Sequence, residues 1–307
     1  MTEPVLLPLR AIRALRGLLA GLITLMVLAV LAGCSTTQTL DVVTPPPPPT
    51  TSERYAAIVI DGGSGAVLYA SNQNAPRYPA SLTKMMTLYM LFEALDSGRV
   101  SKDTQIPVSS QAARQPPTKI GFRAGDTIDV DSAIHALTVK SANDVAYAVG
   151  EFLGGSEAGF AQQMTAKARQ IGMSGTVFAN ASGLPDDAQH TTARDMAVLG
   201  LALRSRFPQY YSYFSATDFT YRGRLVRGHN DLLGRVQGVD GIKTGYIRAS
   251  GFNIVTSVRT GGRSLVIVVM GADSARSRND HVEQLIYTYL PKATGGGQTT
   301  RQLFAKR

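Results

Sequence analysis

Cysteine occurs once in the 307 residues, at Cys34, so no disulfide can form within the chain. Histidine is almost as scarce. His135, His190, His229 and His281 are the only four; none has an evident triad partner, and each reads as structural or exposed. The zinc pattern H-E-x-x-H and the elbow pattern G-x-S-x-G are both missing, which excludes the familiar zinc-peptidase and α/β-hydrolase readings. No metal and no cofactor is expected. No internal repeat and no nucleic-acid motif is present. Charged residues make up 17% and hydrophobic residues 44% of the chain. That composition excludes a disordered protein and a coiled coil, and it suffices for one globular unit with a real core.

The leader differs from the rest. Arg10, Arg13 and Arg16 precede the apolar stretch GLLAGLITLMVLAVLAGC, which ends in small residues as an export signal does. A retained anchor is the alternative, since an apolar run of about 17 residues is near the lower limit for a spanning helix. Leu31, Ala32, Gly33 and Cys34 resemble the lipobox of bacterial lipoproteins. That resemblance implies a signal peptide over 1–33, cleavage before Cys34, and a lipid on Cys34 that holds the protein to a membrane of the cell envelope. Ser35 is compatible with outer-membrane sorting in some bacteria. The stretch TPPPPPT at 44–50 favours an extended polyproline rod, so 34–54 is read as lipidated cysteine and tether. Residues 1–33 hold three arginines and one glutamate, so +7 of the net charge of +9 stays on the remainder. In an exported protein such an excess suits an anionic envelope polymer better than nucleic acid.

Beyond the tether, YAAIVIDGGSGAVLYASN (55–72) and GFNIVTSVRTGGRSLVIVVMG (251–271) each read as two strands around a glycine-rich turn. Helical patterns occupy 81–95, 131–152, 158–171, 192–205 and 274–290, the last with Val282, Leu285, Ile286 and Tyr289 on one face. Strands at both ends with helices between them predict an α/β (α+β) fold in which one antiparallel sheet is shared by the two ends and a helical lobe is inserted. Residues 55–291 form the expected catalytic domain and 292–307 a loose tail. The aromatic cluster YYSYF (210–214) reads as packing.

Three short patterns carry chemistry. PASLTKMMT places Ser81 three residues before Lys84, on one face of a helix start whose unpaired N–H groups favour a developing anion. VKSANDVA contains Ser141 and Asn143; GIKTGY contains Lys243, Thr244, Gly245 and Tyr246. Each pattern is weak singly: Ser141 and Asn143 could cap a helix, and Lys243 could end a strand. S-x-x-K, S-x-N and K-T-G together, in order and spaced 60 and 102 residues apart, form the signature of class A β-lactamases and penicillin-binding proteins.

Over residues 55–290 the sequence resembles the D-alanyl-D-alanine carboxypeptidases among the low-molecular-mass penicillin-binding proteins, also through KSANDVAYAVGE, NASGLPD, TTARDMA and VDGIKTGYIRASGFN. The middle residue of S-x-N is Ala142, where many members have glycine. The E-x-x-L-N pattern of a class A β-lactamase is missing. Some relatives add a β-rich domain and an amphipathic anchor helix; this chain is expected to use the Cys34 lipid instead. The resemblance implies the penicillin-binding-protein-like transpeptidase fold and a serine-type hydrolase acting on peptidoglycan stem peptides, with β-lactams as inhibitors. It implies Ser81 as nucleophile, Lys84 as base and Ser141 as proton relay. Asn143 would orient Lys84 and the substrate amide, and Lys243 and Thr244 would hold the terminal carboxylate. The N–H groups of Ser81 and Tyr246 would form an oxyanion hole. Arg248, two residues beyond Tyr246, reads equally as a carboxylate ligand or as an exposed hairpin residue. A D,D-endopeptidase of the same fold, a penicillin sensor without turnover and a non-catalytic envelope scaffold are the rival readings.

Overall fold

Apolar runs from the two ends of the sequence pair with each other at the centre of the sheet. The computed structural model describes residues 45–48, 50 and 52–295; the leader, Cys34 and most of the tail expected over 292–307 lie outside the described residues. β1 (Ala56–Asp61) is buried at every position and lies between β2 (Val67–Ser71) and β9 (Arg263–Ala272). β8 (Gly251–Thr260) and β7 (Val239–Ile247) complete the five-stranded sheet in the order β2-β1-β9-β8-β7, with every neighbouring pair antiparallel. Between β2 and β7 the chain forms α1 (Lys84–Asp96), β3 (Gln105–Pro107), α2 (Ser110–Arg114), β4 (Thr127–Asp129), α3 (Val130–His135), α4 (Asn143–Gly154), α5 (Glu157–Gln170) and α6 (Ala193–Arg206). The hairpin of β5 (Asp218–Tyr221) and β6 (Arg224–Arg227) follows, and α7 (Ala275–Tyr289) comes after β9.

Alternation along β1 divides the core. Ala56, Ile58 and Ile60 face the larger cluster with the helical lobe, while Ala57 and Val59 face the smaller one under α7, as a period of two requires. On α7 the expected stripe of Val282, Leu285, Ile286 and Tyr289 is buried there. α1 is different. Met85, Met86, Leu88, Tyr89, Leu91 and Phe92 are all fully buried, so this helix runs through the core and shows no polar face. Tyr210, Tyr213 and Phe214 pack around Phe92; the aromatic cluster is packing, as its sequence suggests.

Three expectations need correction. The helix at 81–95 begins as a 3-10 turn (Ala80–Thr83) and becomes α-helical only at Lys84. The helix expected over 131–152 is broken: α3 passes into a π-helical stretch (Ala136–Lys140), Ser141 turns left-handed at φ 59°, and α4 restarts at Asn143. The tail expected from 292 is docked at its start, where Ala293 is buried and Thr294 donates its N–H and hydroxyl to Asp61. Among the described residues no helix is long and apolar enough to cross a membrane.

The chain enters the domain through an arginine clamp. Arg77 donates from Nε to the carbonyl of Arg54 (2.7 Å) and from one terminal nitrogen to the carbonyls of Glu53 (2.7 Å) and Tyr55 (3.2 Å). Its own backbone pairs both ways with Thr191.

Candidate active site

The turn that carries Ser81 is held under backbone strain. Ala80 sits at φ 49°, a region that costs a non-glycine residue energy and persists only where its surroundings enforce it. Two distant glycines do so. A Cβ on Gly183 would lie 1.8 Å from the Ala80 carbonyl oxygen, and one on Gly245 would lie 3.1 Å from the backbone nitrogens of Ser81 and Leu82. Gly183 also has φ +83°. The glycine of K-T-G thus lets β7 run directly alongside the serine turn, and the glycine of NASGLPD closes the turn from the other side. Gly183→Ala is expected to destabilise the fold by about 1–3 kcal/mol and to slow acylation by penicillin at least about tenfold, an effect of about 1.4 kcal/mol on the barrier. Denaturant titration and stopped-flow labelling measure these; wild-type values for both would show that the close approach is dispensable.

In a 3-10 turn residues three apart eclipse one another, so the break before Lys84 aligns the pair closely. Lys84 Nζ donates to Ser81 Oγ at 3.1 Å, to Asn143 Oδ1 at 2.8 Å and to the Ser182 carbonyl at 2.5 Å. The side chain has no solvent exposure. Burial, and next the charge of Lys243, hold its pKa well below the usual lysine value; Asp144 opposes them. A neutral amine keeps two N–H groups and one lone pair. With Asn143 and Ser182 accepting the two N–H groups, the lone pair faces Ser81 Oγ.

Ser141 and Asn143 are fixed from a loop some 25 residues upstream. Thr118 Oγ1 donates to the Ser141 carbonyl at 2.9 Å, the Asn143 N–H donates to the Thr118 carbonyl at 2.7 Å, and Asn143 Nδ2 donates to the Pro116 carbonyl at 3.0 Å. Buried Asp144 accepts the N–H groups of Ile120 and Gly121 and ties the same loop to α4. These bonds supply the physical reason for the broken helix. The Ser141 hydroxyl is buried and has no hydrogen-bond partner among the described residues, although Ser141 lines the cleft with Ser81 and Asn143.

That cleft has a volume of about 540 Å³ and opens between the serine turn, the Ser141 loop and β7. Thr244, Gly245 and Tyr246 line it, with Tyr246 on the rim at 53% exposure. Lys243 is buried; burial, and next the charge of Arg278, bring its pKa down to about 7. Arg278, absent from the motifs, also lines the cleft. It is only 3% exposed and donates to the Asn253 carbonyl and to Asn279 Oδ1. Among the described residues it has no carboxylate within salt-bridge distance. A buried guanidinium facing a cleft without its own anion is a ready ligand for a carboxylate. Arg248, by contrast, is exposed, does not line the cleft, and accepts a bond from Arg54 on its carbonyl. His229 lines the cleft. His281 bonds Tyr55 at 2.8 Å, and burial lowers its pKa to about 4.

The arrangement can activate a serine without histidine, take up a carboxylate beside it and shelter an acyl intermediate. D-alanyl-D-alanine carboxypeptidase DacD of Escherichia coli is 35% identical over 234 residues, covering 74% of this chain and 60% of that protein. This chain therefore spans about three fifths of that relative's length. Among solved structures, penicillin-binding protein 5 from Haemophilus influenzae superposes with a TM-score of 0.75 at 31% identity, over 80% of this chain and 72% of that one. Penicillin-binding protein D2 from Listeria monocytogenes, solved in an ampicillin-bound form, gives a TM-score of 0.67 at 32% identity, over 76% of this chain and 95% of that one. The sequence model of peptidase S11, D-alanyl-D-alanine carboxypeptidase, matches residues 42–274, and on these grounds the chain belongs to the D-alanyl-D-alanine carboxypeptidase family.

Proposed function

We propose that this chain is a serine-type D-alanyl-D-alanine carboxypeptidase that removes the terminal D-alanine from peptidoglycan stem pentapeptides, with 55–291 as its catalytic domain. The observation that carries the reading is the fully buried Lys84, bonded to Ser81 and lying in the field of Lys243. Ser81 Oγ attacks the carbonyl of the penultimate D-alanine while Lys84 takes the serine proton. The oxyanion forms where β7 meets the serine turn, within reach of the N–H groups of Ser81 and Tyr246; one such donor is worth about 2.7–4 kcal/mol. The Ser141 hydroxyl passes a proton from Lys84 to the leaving nitrogen, the C–N bond breaks, and D-alanine departs. Water, deprotonated by Lys84, then cleaves the ester and restores Ser81. Lys243, Thr244 and Arg278 hold the terminal carboxylate, and Asn143 orients Lys84 and the substrate amide. No metal or cofactor enters the reaction. A β-lactam would acylate Ser81 by the same route; the ampicillin-bound form of the Listeria protein supports this.

The test compares two substrates. The enzyme is expected to release D-alanine from a stem pentapeptide faster than it opens a cross-linked dimer, and Lys243→Ala is expected to erase most of the preference for a free over an amidated terminal carboxylate. Dimers falling to monomers without detectable D-alanine would replace this reading by the endopeptidase. Penicillin labelling without either product would leave the sensor.

We also infer a lipid on Cys34, 1–33 as its signal peptide and 34–54 as the tether to the membrane, on the motif LAGC after an arginine-bearing apolar leader. Labelled palmitate is expected to enter the wild type and not Cys34→Ala; recovery of soluble, unacylated wild type would overturn the anchor.

A further inference from the structure

A second cavity, of about 660 Å³, lies beside the cleft between the loop at 119–126 and the β5–β6 hairpin. Lys119, Arg123, Lys140, Arg222, Arg224 and Arg227 line it, against Asp126 as its one acidic residue. Two of the cations are engaged. Arg222 pairs with Asp126 at 3.7 Å and lies over Phe122 and Tyr221; Lys119 donates to the Ala113 carbonyl. Arg123, Lys140, Arg224 and Arg227 have no acidic partner within 4.0 Å among the described residues. Among them Leu225 is exposed at 57%, Ile120 and Tyr221 are half-buried and Phe122 is buried.

The groove and the cleft share their walls. At three places consecutive residues line the two sides: Thr118 and Lys119, Ser141 and Lys140, Gly228 and Arg227. The loop is the one that Asp144 and Thr118 fasten to the Ser141 turn. At the hairpin base Gly228 donates to the Thr217 carbonyl at 2.8 Å and sits so close that a Cβ would lie 2.9 Å from that oxygen. A ligand seated in the cleft that extends past Ser141 therefore enters a firmly built trough that presents cations without acidic partners beside the exposed Leu225.

We propose that this groove is an extended substrate site that binds the free carboxylates of a stem peptide, a reading that rests on the peptidase function above. Stem peptides carry carboxylates on D-glutamate and, where it is the diamino acid, on diaminopimelate, joined by short aliphatic segments. Guanidinium groups without acidic partners suit the carboxylates, and the exposed Leu225 suits a short aliphatic segment beside them. The carboxylates come either from the stem being cut or from a second stem cross-linked to it.

The experiment uses Arg224→Gln with Arg227→Gln, two exposed hairpin positions outside the catalytic cleft. Four substrates are compared: an uncharged N-acylated tripeptide ending in D-alanyl-D-alanine, an acidic pentapeptide, its side-carboxylate amide, and a cross-linked dimer. The double variant is expected to lose about fivefold or more in kcat/KM on the acidic pentapeptide or on the dimer, through KM, while kcat and the tripeptide are unchanged. Rising ionic strength should weaken the same substrates in the wild type. Loss on the pentapeptide identifies the stem being cut as the source; loss on the dimer alone identifies the second stem. Equal loss on all four substrates, or none, overturns the groove. Equilibrium binding to Ser81→Ala separates the two readings. If that variant binds the acidic peptide, loses it with the two arginines, and the wild type turns over nothing, the groove stands and the hydrolase falls. If the wild type hydrolyses acidic and amidated pentapeptides alike and the double variant opens the dimer as fast as the wild type, the hydrolase stands and the groove falls. Arginine-dependent binding to phosphatidylglycerol vesicles without any effect on the peptides also overturns it.

Discussion

Ser81→Ala is expected to abolish covalent labelling by a fluorescent penicillin and to lower peptide hydrolysis on the order of 10⁶-fold, the scale on which a serine hydrolase fails without its nucleophile. Few substitutions here should disturb the fold less. Among the described residues Oγ takes part in one hydrogen bond, from Lys84, which keeps Asn143 Oδ1 and the Ser182 carbonyl as acceptors. The 3-10 turn is held by backbone contacts with Gly183 and Gly245, which alanine retains. Loss of label with an unchanged unfolding midpoint therefore reports chemistry alone. A label that persists at full intensity would remove Ser81 from the reaction, and with it the functional reading of the turn.

Lys84→Arg should be nearly as damaging. Arginine keeps the charge and cannot release its proton at neutral pH, and loss of a positioned general base costs typically about 10²–10⁴-fold. Because the site is fully buried, the longer guanidinium can also disturb packing. Lys84→Met tests the same point without that risk, since it removes the buried amine and keeps an unbranched chain of similar length. Both variants should fold cooperatively and acylate slowly. The pH profile gives the sign. Burial and Lys243 lower the pKa of Lys84, so the reactive neutral amine accumulates as pH rises, and wild-type acylation should climb with pH through that pKa. In Lys84→Met the climb should vanish. Fast turnover by either variant, or a wild-type rate that falls as pH rises across this limb, would assign the base to another group.

Much of this site could be read from sequence because its chemistry is local. Ser81 and Lys84 lie three residues apart, Ser141 and Asn143 two, and Lys243, Thr244 and Gly245 are contiguous. The apolar runs of β1 and β9 likewise announce a buried strand pair. What escaped depends on distant parts of the chain. Residues 131–152 read as one helix because nothing nearby reveals that Thr118 will capture the Ser141 carbonyl and hold a left-handed turn. Strands β3 to β6, of three or four residues each, are too short for a period to emerge. Arg278 did leave a signal. It stands four, seven and eight residues before Val282, Leu285 and Ile286, so it occupies the apolar stripe of α7. A charged residue on that stripe must be buried, and a buried charge asks for a function.

The arginine clamp at the domain entrance bears on how the start of the domain is held. Arg77 grips the carbonyls of Glu53, Arg54 and Tyr55, and it stands only four residues before Ser81. The incoming chain and the serine turn are thus bolted to a common bracket. A pull on residues 53–55 would be delivered at once to β1, which is hydrogen-bonded to the central strand β9, and to the bracket, so the domain would resist as a unit. The serine turn thus keeps a set bearing relative to Glu53, where the clamp begins.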